Sequence, residues 1–167
     1  MPISISKCFH NMLALFLFNF TKKVFLKTMI SHIFSISEEQ LENLLQQYSN
    51  IGKNSHVGNL AVEIAKLFLL YLNPNTTFLT TRGIDLTANI DGNIENFEIK
   101  GTSSNDVSWD KLKVSSQFCH DNLVNGMKII RVTNIGKTNM TIHYLSHDED
   151  FILIPELRWT VRKVRNN

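Results

Sequence analysis

Cysteine is almost missing from this chain, with only Cys8 and Cys119 in 167 residues. Without a CxxC they can build neither a disulfide framework nor a zinc ribbon, and a reducing, cytoplasmic setting is expected. Histidine shows no ligand spacing. His10, His32, His143 and His147 each stand apart and read as ordinary core or surface residues. A strong charge of one sign is also lacking: the formal net charge of +2 is too mild to announce a nucleic-acid partner by itself, although Arg158, Arg162, Lys163 and Arg165 gather near the end. The apolar run at residues 12–20 (MLALFLFNF) falls well short of the roughly 20 residues a spanning helix needs. It has no small-x-small cleavage site after it and is followed at once by Lys22 and Lys23. No stable membrane association is therefore expected.

With 43% hydrophobic residues and only three prolines, the chain can bury one good core and offers no Pro-, Gly- or Ser-rich linker to divide it. One domain over residues 37–167 is expected, preceded by an extension, residues 1–36, of uncertain role. Met29 offers an alternative start just ahead of the first helix signal.

That signal is Ser37-Glu38-Glu39-Gln40, a capping box opening an amphipathic helix to about Tyr48 with Leu41, Leu44, Leu45 and Tyr48 as its stripe. A second helix should run from a Ser55 cap to about Leu72, where Asn73-Pro74 stops it. Its buried face reads Leu60, Ala61, Ile64, Leu67, Phe68 and Tyr71. The period then changes to two, and residues 76–81, 84–90 and 94–100 read as strands. A third helix is expected from about Ser108 to Leu123, with Trp109, Leu112, Ser116, Cys119 and Leu123 inward. Further strands are expected over 127–134, 140–145 and, briefly, 151–154. The order predicts an α/β layer with a mixed sheet flanked by helices.

Asp91-Gly92 is a two-residue hairpin turn and sets a register pairing 90 with 93, 88 with 95, 86 with 97 and, continued, 85 with 98. Ile84, Leu86, Phe97 and Ile99 then share the core face, and Asp85, Glu98 and Lys100 the other. Opposed carboxylates repel, so something positive belongs between them. Mg²⁺, or Mn²⁺, takes oxygen ligands and leaves positions open for a phosphate, while Lys100 could orient or deprotonate a water and steady developing charge. The pattern points to phosphodiester hydrolysis.

Gly83-Ile84-Asp85-Leu86 followed by Phe97-Glu98-Ile99-Lys100-Gly101-Thr102 resembles the core of the PD-(D/E)xK, restriction-endonuclease-like nuclease superfamily. It looks closest to the NO VEIN C-terminal-like module, with Mrr-like restriction enzymes and Holliday-junction resolvases as more distant relatives. The resemblance spans roughly residues 55–133, and Ile84 stands where a literal motif has proline. It implies a mixed sheet between helices and a metal held by Asp85, Glu98 and the Ile99 carbonyl. It also implies that Glu63 of the preceding helix assists and that Lys100 is catalytic. About 100° per residue puts Glu63 at the border of its helix's buried stripe, where a carboxylate needs a partner.

Several residues are weaker candidates for DNA contact. His56 lies two turns before Glu63 and could bond it or a phosphate, although an ordinary surface histidine is the blander reading. Lys113, Gln117 and His120 fall at i, i+4 and i+7 on the outer face of the expected third helix, where a plain solvated stripe would look the same. Thr102 opens a loop of small residues that is either a simple connection or a close approach for phosphate.

The function expected is a cytoplasmic, Mg²⁺-dependent endonuclease acting on DNA, with RNA also open, in restriction, phage defence or DNA processing. Cutting both strands would call for a homodimer or a partner subunit, because one site serves one strand at a time. The competing expectation is a catalytically inactive nucleic-acid-binding or protein-docking module of the same fold.

Overall fold

The computed structural model describes residues 29–156. The apolar run at 12–20 and the basic cluster at 158–165 lie outside the described residues, so the expectations placed on them are not addressed. The described chain is a six-stranded mixed sheet with helices on both faces, an α/β arrangement as expected. In chain order the elements are β1 (Ile30–Ser35), α1 (Glu38–Gln47), α2 (Asn54–Leu72), β2 (Thr77–Leu79), β3 (Leu86–Ile90) and β4 (Asn93–Gly101). A 3₁₀ turn (Trp109–Lys111), α3 (Gln117–Val124), β5 (Lys128–Thr133) and β6 (Asn139–Leu145) follow. Across the sheet the order is β1-β6-β5-β4-β3-β2, and only the β4–β5 pair is parallel.

The capping box forms as the sequence predicts: Gln40 N–H donates to Ser37 Oγ at 3.1 Å and Ser37 N–H to Gln40 Oε1 at 3.0 Å. α2 starts one residue before Ser55, with Lys53 at the cap position and no side-chain cap; backbone bonds from Lys53 N–H to Asn50 O and from His56 N–H to Lys53 O close the entry instead. Among the described residues α2 is the helix long and apolar enough to cross a membrane. Here it is the core helix, burying Leu60, Ala61, Ile64, Ala65, Phe68 and Leu69 against Leu86, Ala88, Phe97, Ile99, Ile130 and Val132.

Three expectations need correction. Residues 30–35, assigned to the extension, form β1, which pairs with β6 along its whole length from Ile30–Tyr144 to Ser35–Asn139. The third helix is much shorter than expected. Ser108 sits at φ 50°, the following turn ends at Leu112 in extended conformation, and α3 begins only after Ser116, whose Oγ accepts from Cys119 N–H at 3.1 Å. β-branched Val114 and the Ser115-Ser116 pair favour an extended entry and a cap over a helix interior. The last strand is reduced to one bridge, His147 to Phe151. β5 and β1 already occupy both edges of β6, so residues 151–154 cannot pair with the strand that precedes them.

Candidate functional site

The Asp91-Gly92 hairpin has the expected register: Leu86 faces Phe97, Ala88 faces Glu95 and Ile90 faces Asn93. Gly92 (φ 87°) and Asp91 (φ 52°) both take left-handed backbone, as a tight two-residue turn demands. The ladder stops at Leu86, one residue short of Asp85. There a side chain continues it: Asp85 Oδ2 accepts from Ile99 N–H at 3.0 Å. N–H and C=O of one strand residue leave on the same side, so the Ile99 carbonyl points toward Asp85 as well.

On β4, Phe97, Ile99 and Gly101 turn to α2, while Glu98 and Lys100 turn to α3. Glu98 is buried at 8% exposure, Lys100 is half-buried, and Asp85 keeps an exposed flank. Lys100 Nζ stands 2.5 Å from Glu98 Oε1. Partial desolvation raises the Asp85 pKa. The Ile99 amide opposes that shift, the neighbouring Glu98 carboxylate adds to it, and Lys100 opposes it in turn. Two carboxylates therefore crowd together with one lysine as their nearest positive charge.

The structure adds two residues to this face that sequence reasoning left out. Cys119, in the first turn of α3, is buried, and its thiol lies against Glu98; burial first, then the bond and charge of Glu98, push its pKa up to about 12. Arg131 is the register partner of Lys100 on β5 and is only 3% exposed. Its Nε donates to Val107 O and its Nη1 to Gly101 O, both at 2.9 Å, so one guanidinium ties together the two ends of the loop that follows Lys100. Alternation along β5 would have put Arg131 on this face once its parallel register with β4 was known.

The outer candidates are placed differently. Glu63 is half-buried on α2, across the sheet from Glu98, and pairs with Lys66 at 2.7 Å. Among the described residues no three His, Cys, Asp or Glu side chains converge as an ion site, so Glu63 is not brought to Asp85 and Glu98. His56 does not bond Glu63; its Nδ1 accepts from Asn50 N–H at 3.3 Å. Thr102 is buried and spends its polar groups on the loop: its N–H donates to Val132 O, its carbonyl accepts from Ile135 N–H, and its Oγ1 accepts from Ser104 N–H. Gly101 is small because α2 crosses it, not because a ligand does: a β-carbon there would fall 2.4 Å from Ile135 Cδ1 and 2.9 Å from both Ala61 Cβ and Val57 O.

Lys113 and Gln117 do not share a helix stripe, since Lys113 precedes α3. Both nevertheless line one groove of about 710 Å³, together with Lys100, Trp109 and His120. Lys113 pairs with Glu156 at 3.1 Å, and Gln117 Nε2 donates to Asp121 Oδ1 at 2.7 Å. No family model, curated protein or solved structure matches the chain.

Proposed function

We propose that the chain is a Mg²⁺-dependent endonuclease that hydrolyses DNA phosphodiesters. The observation that carries this reading is the meeting of Asp85 and Glu98 at the end of the β3–β4 ladder, with Lys100 against Glu98 and an open groove beside Lys100. The donor set suits the ion: two carboxylates and the Ile99 carbonyl are all hard oxygen ligands, and a cation would relieve the repulsion that helps raise the Asp85 pKa. Bound there, Mg²⁺ would supply Lewis-acid polarisation of the phosphoryl oxygens and lower the pKa of a water.

This chain's own residues have separate tasks in that scheme. The Ile99 amide holds the Asp85 carboxylate in place. Glu98 is fixed by the strand and by the Cys119 thiol, which stays protonated and so can donate to it. Lys100, once released from Glu98 by a competing cation, can orient a water and stabilise charge on the phosphate. Arg131 secures the loop behind Lys100 through Gly101 and Val107. Of plasmid DNA and single-stranded circular DNA incubated with Mg²⁺ or Mn²⁺, at least one should be cut by the wild type and left intact by Glu98→Ala and Lys100→Ala; the same outcome for all three proteins on both substrates sinks the reading.

The engagement of Glu63 with Lys66 favours a second reading, a binding or docking module without catalysis. Such a module would take up DNA without a divalent ion. Calorimetry would then show no Mg²⁺ site that Asp85→Asn abolishes.

A further inference from the structure

The groove beside Lys100 has a composition that a double helix would not use. Its floor is apolar and partly aromatic, with Trp109 and Phe151 among the leucines, valine and isoleucines of residues 112–114 and 151–154. Trp109 is 48% exposed, so about half of its large apolar surface is free to be covered by a ligand. At about 710 Å³ the groove falls within the range of small-ligand pockets, about 300–1,000 Å³, which gives room for a base and its neighbours but none for a duplex. Duplex bases are stacked inward and cannot bury Trp109; an unpaired base presents a free π face that can.

The polar groups sit where a backbone would run. Lys100, already part of the carboxylate site, lines the groove together with Lys113, Gln117 and His120. The Lys113–Glu156 pair is about half exposed on both sides, so it is weak and a phosphate can displace it. The chain then continues from the groove wall at Glu156 into a sequence carrying Arg158, Arg162, Lys163 and Arg165.

We infer that this groove binds an unpaired polynucleotide strand, stacking a base on Trp109 and a phosphate on Lys113, and delivers the adjoining phosphodiester to Lys100. The inference deepens the nuclease reading and rests on it for the last step only. The test uses the full chain carrying Asp85→Asn, in EDTA so that nothing is cut, with fluorescence anisotropy of labelled oligo(dT) and of a duplex of equal length. Oligo(dT) should bind at least about tenfold more tightly than the duplex, and Trp109→Ala should remove about tenfold of that affinity while Trp109→Phe retains most of it. Trp109 is exposed enough that its replacement should leave the urea midpoint unchanged, which separates lost stacking from lost folding. No binding, equal or better binding of the duplex, or an unchanged oligo(dT) affinity in Trp109→Ala overturns the groove. Failure of the nuclease reading looks different: oligo(dT) binds through Trp109, yet the wild type with Mg²⁺ cuts no nucleic acid.

Discussion

Asp85 Oδ2 accepts the amide proton of Ile99 at 3.0 Å, so a side chain does there what the backbone of β3 has just ceased to do. The bond holds a carboxylate beside that of Glu98 at a cost to the fold. Asp85→Asn keeps an acceptor for Ile99 and removes a negative charge. Without divalent ions this variant should be more stable than the wild type by about 0.5 kcal/mol, the scale of a water-screened cross-strand pair. A carboxyl with a raised pKa contributes its full stability below its ordinary value of 3.8 and loses it as pH rises through the raised one. The advantage of the variant should therefore open with rising pH in urea melts in EDTA. Added Mg²⁺ should stabilise only the wild type.

Gly101→Ala should be costly although the side chain gained is one methyl. Two of its neighbours, Ala61 Cβ and Val57 O, belong to α2, and helix backbone cannot step aside as a flexible side chain can. A loss of about 1–3 kcal/mol is expected from overpacking, read as a lower urea midpoint. An unchanged midpoint would mean that α2 sits further from β4 than described.

His143 is buried on β6 next to Arg131, with Ser31 Oγ 2.8 Å from its Nδ1. Burial first, and Arg131 second, lower its pKa from 6.5. The unfolded chain thus takes up this proton before the folded one does, so the contribution of His143 is complete above pH 6.5 and is lost as pH falls through the depressed value. Stability should drop on acidification by up to about 1.4 kcal/mol per pH unit, and His143→Gln should flatten that slope.

Cys119 should be inert. A thiol with its pKa near 12 has almost no thiolate at pH 8, and burial bars a reagent from it. In a Cys8→Ser background an aromatic disulfide reagent should release colour only after denaturant is added. Rapid release from the native protein would place Cys119 outside the contact with Glu98.

Local rules carried the sequence reading a long way. Ser37 and Gln40 cap as a pair, Asp91-Gly92 fixes the register of β3 on β4, and alternation along β4 sets Glu98 and Lys100 on one face. What escaped was set by partners distant in sequence. The parallel pairing that lays Arg131 beside Lys100 joins strands separated by the loop and α3, and nothing in residues 128–133 announces its offset. The spacing of Trp109, Leu112, Ser116 and Cys119 matches a helix. The extended backbone at Leu112 and the serine cap at 116 divide it, and Cys119 turns to Glu98 from the first turn of a shorter helix. Glu63 was placed by its own helix at the edge of the buried stripe, and Lys66, three residues on, was in reach as its partner; what a helix wheel cannot show is how that stripe lies relative to Asp85 and Glu98 on the sheet.

Ile30–Ser35 bears on how the protein should be handled at the bench. Its exposed Ile30 and Ile33 add little to the core, but the strand covers the outer edge of β6. A recombinant version begun at Met29 keeps that cover. One begun at residue 37 would leave the ladder of Asn139–Leu145 open as a template for a neighbouring chain, and should come off a sizing column as aggregate even with every residue of the carboxylate site intact.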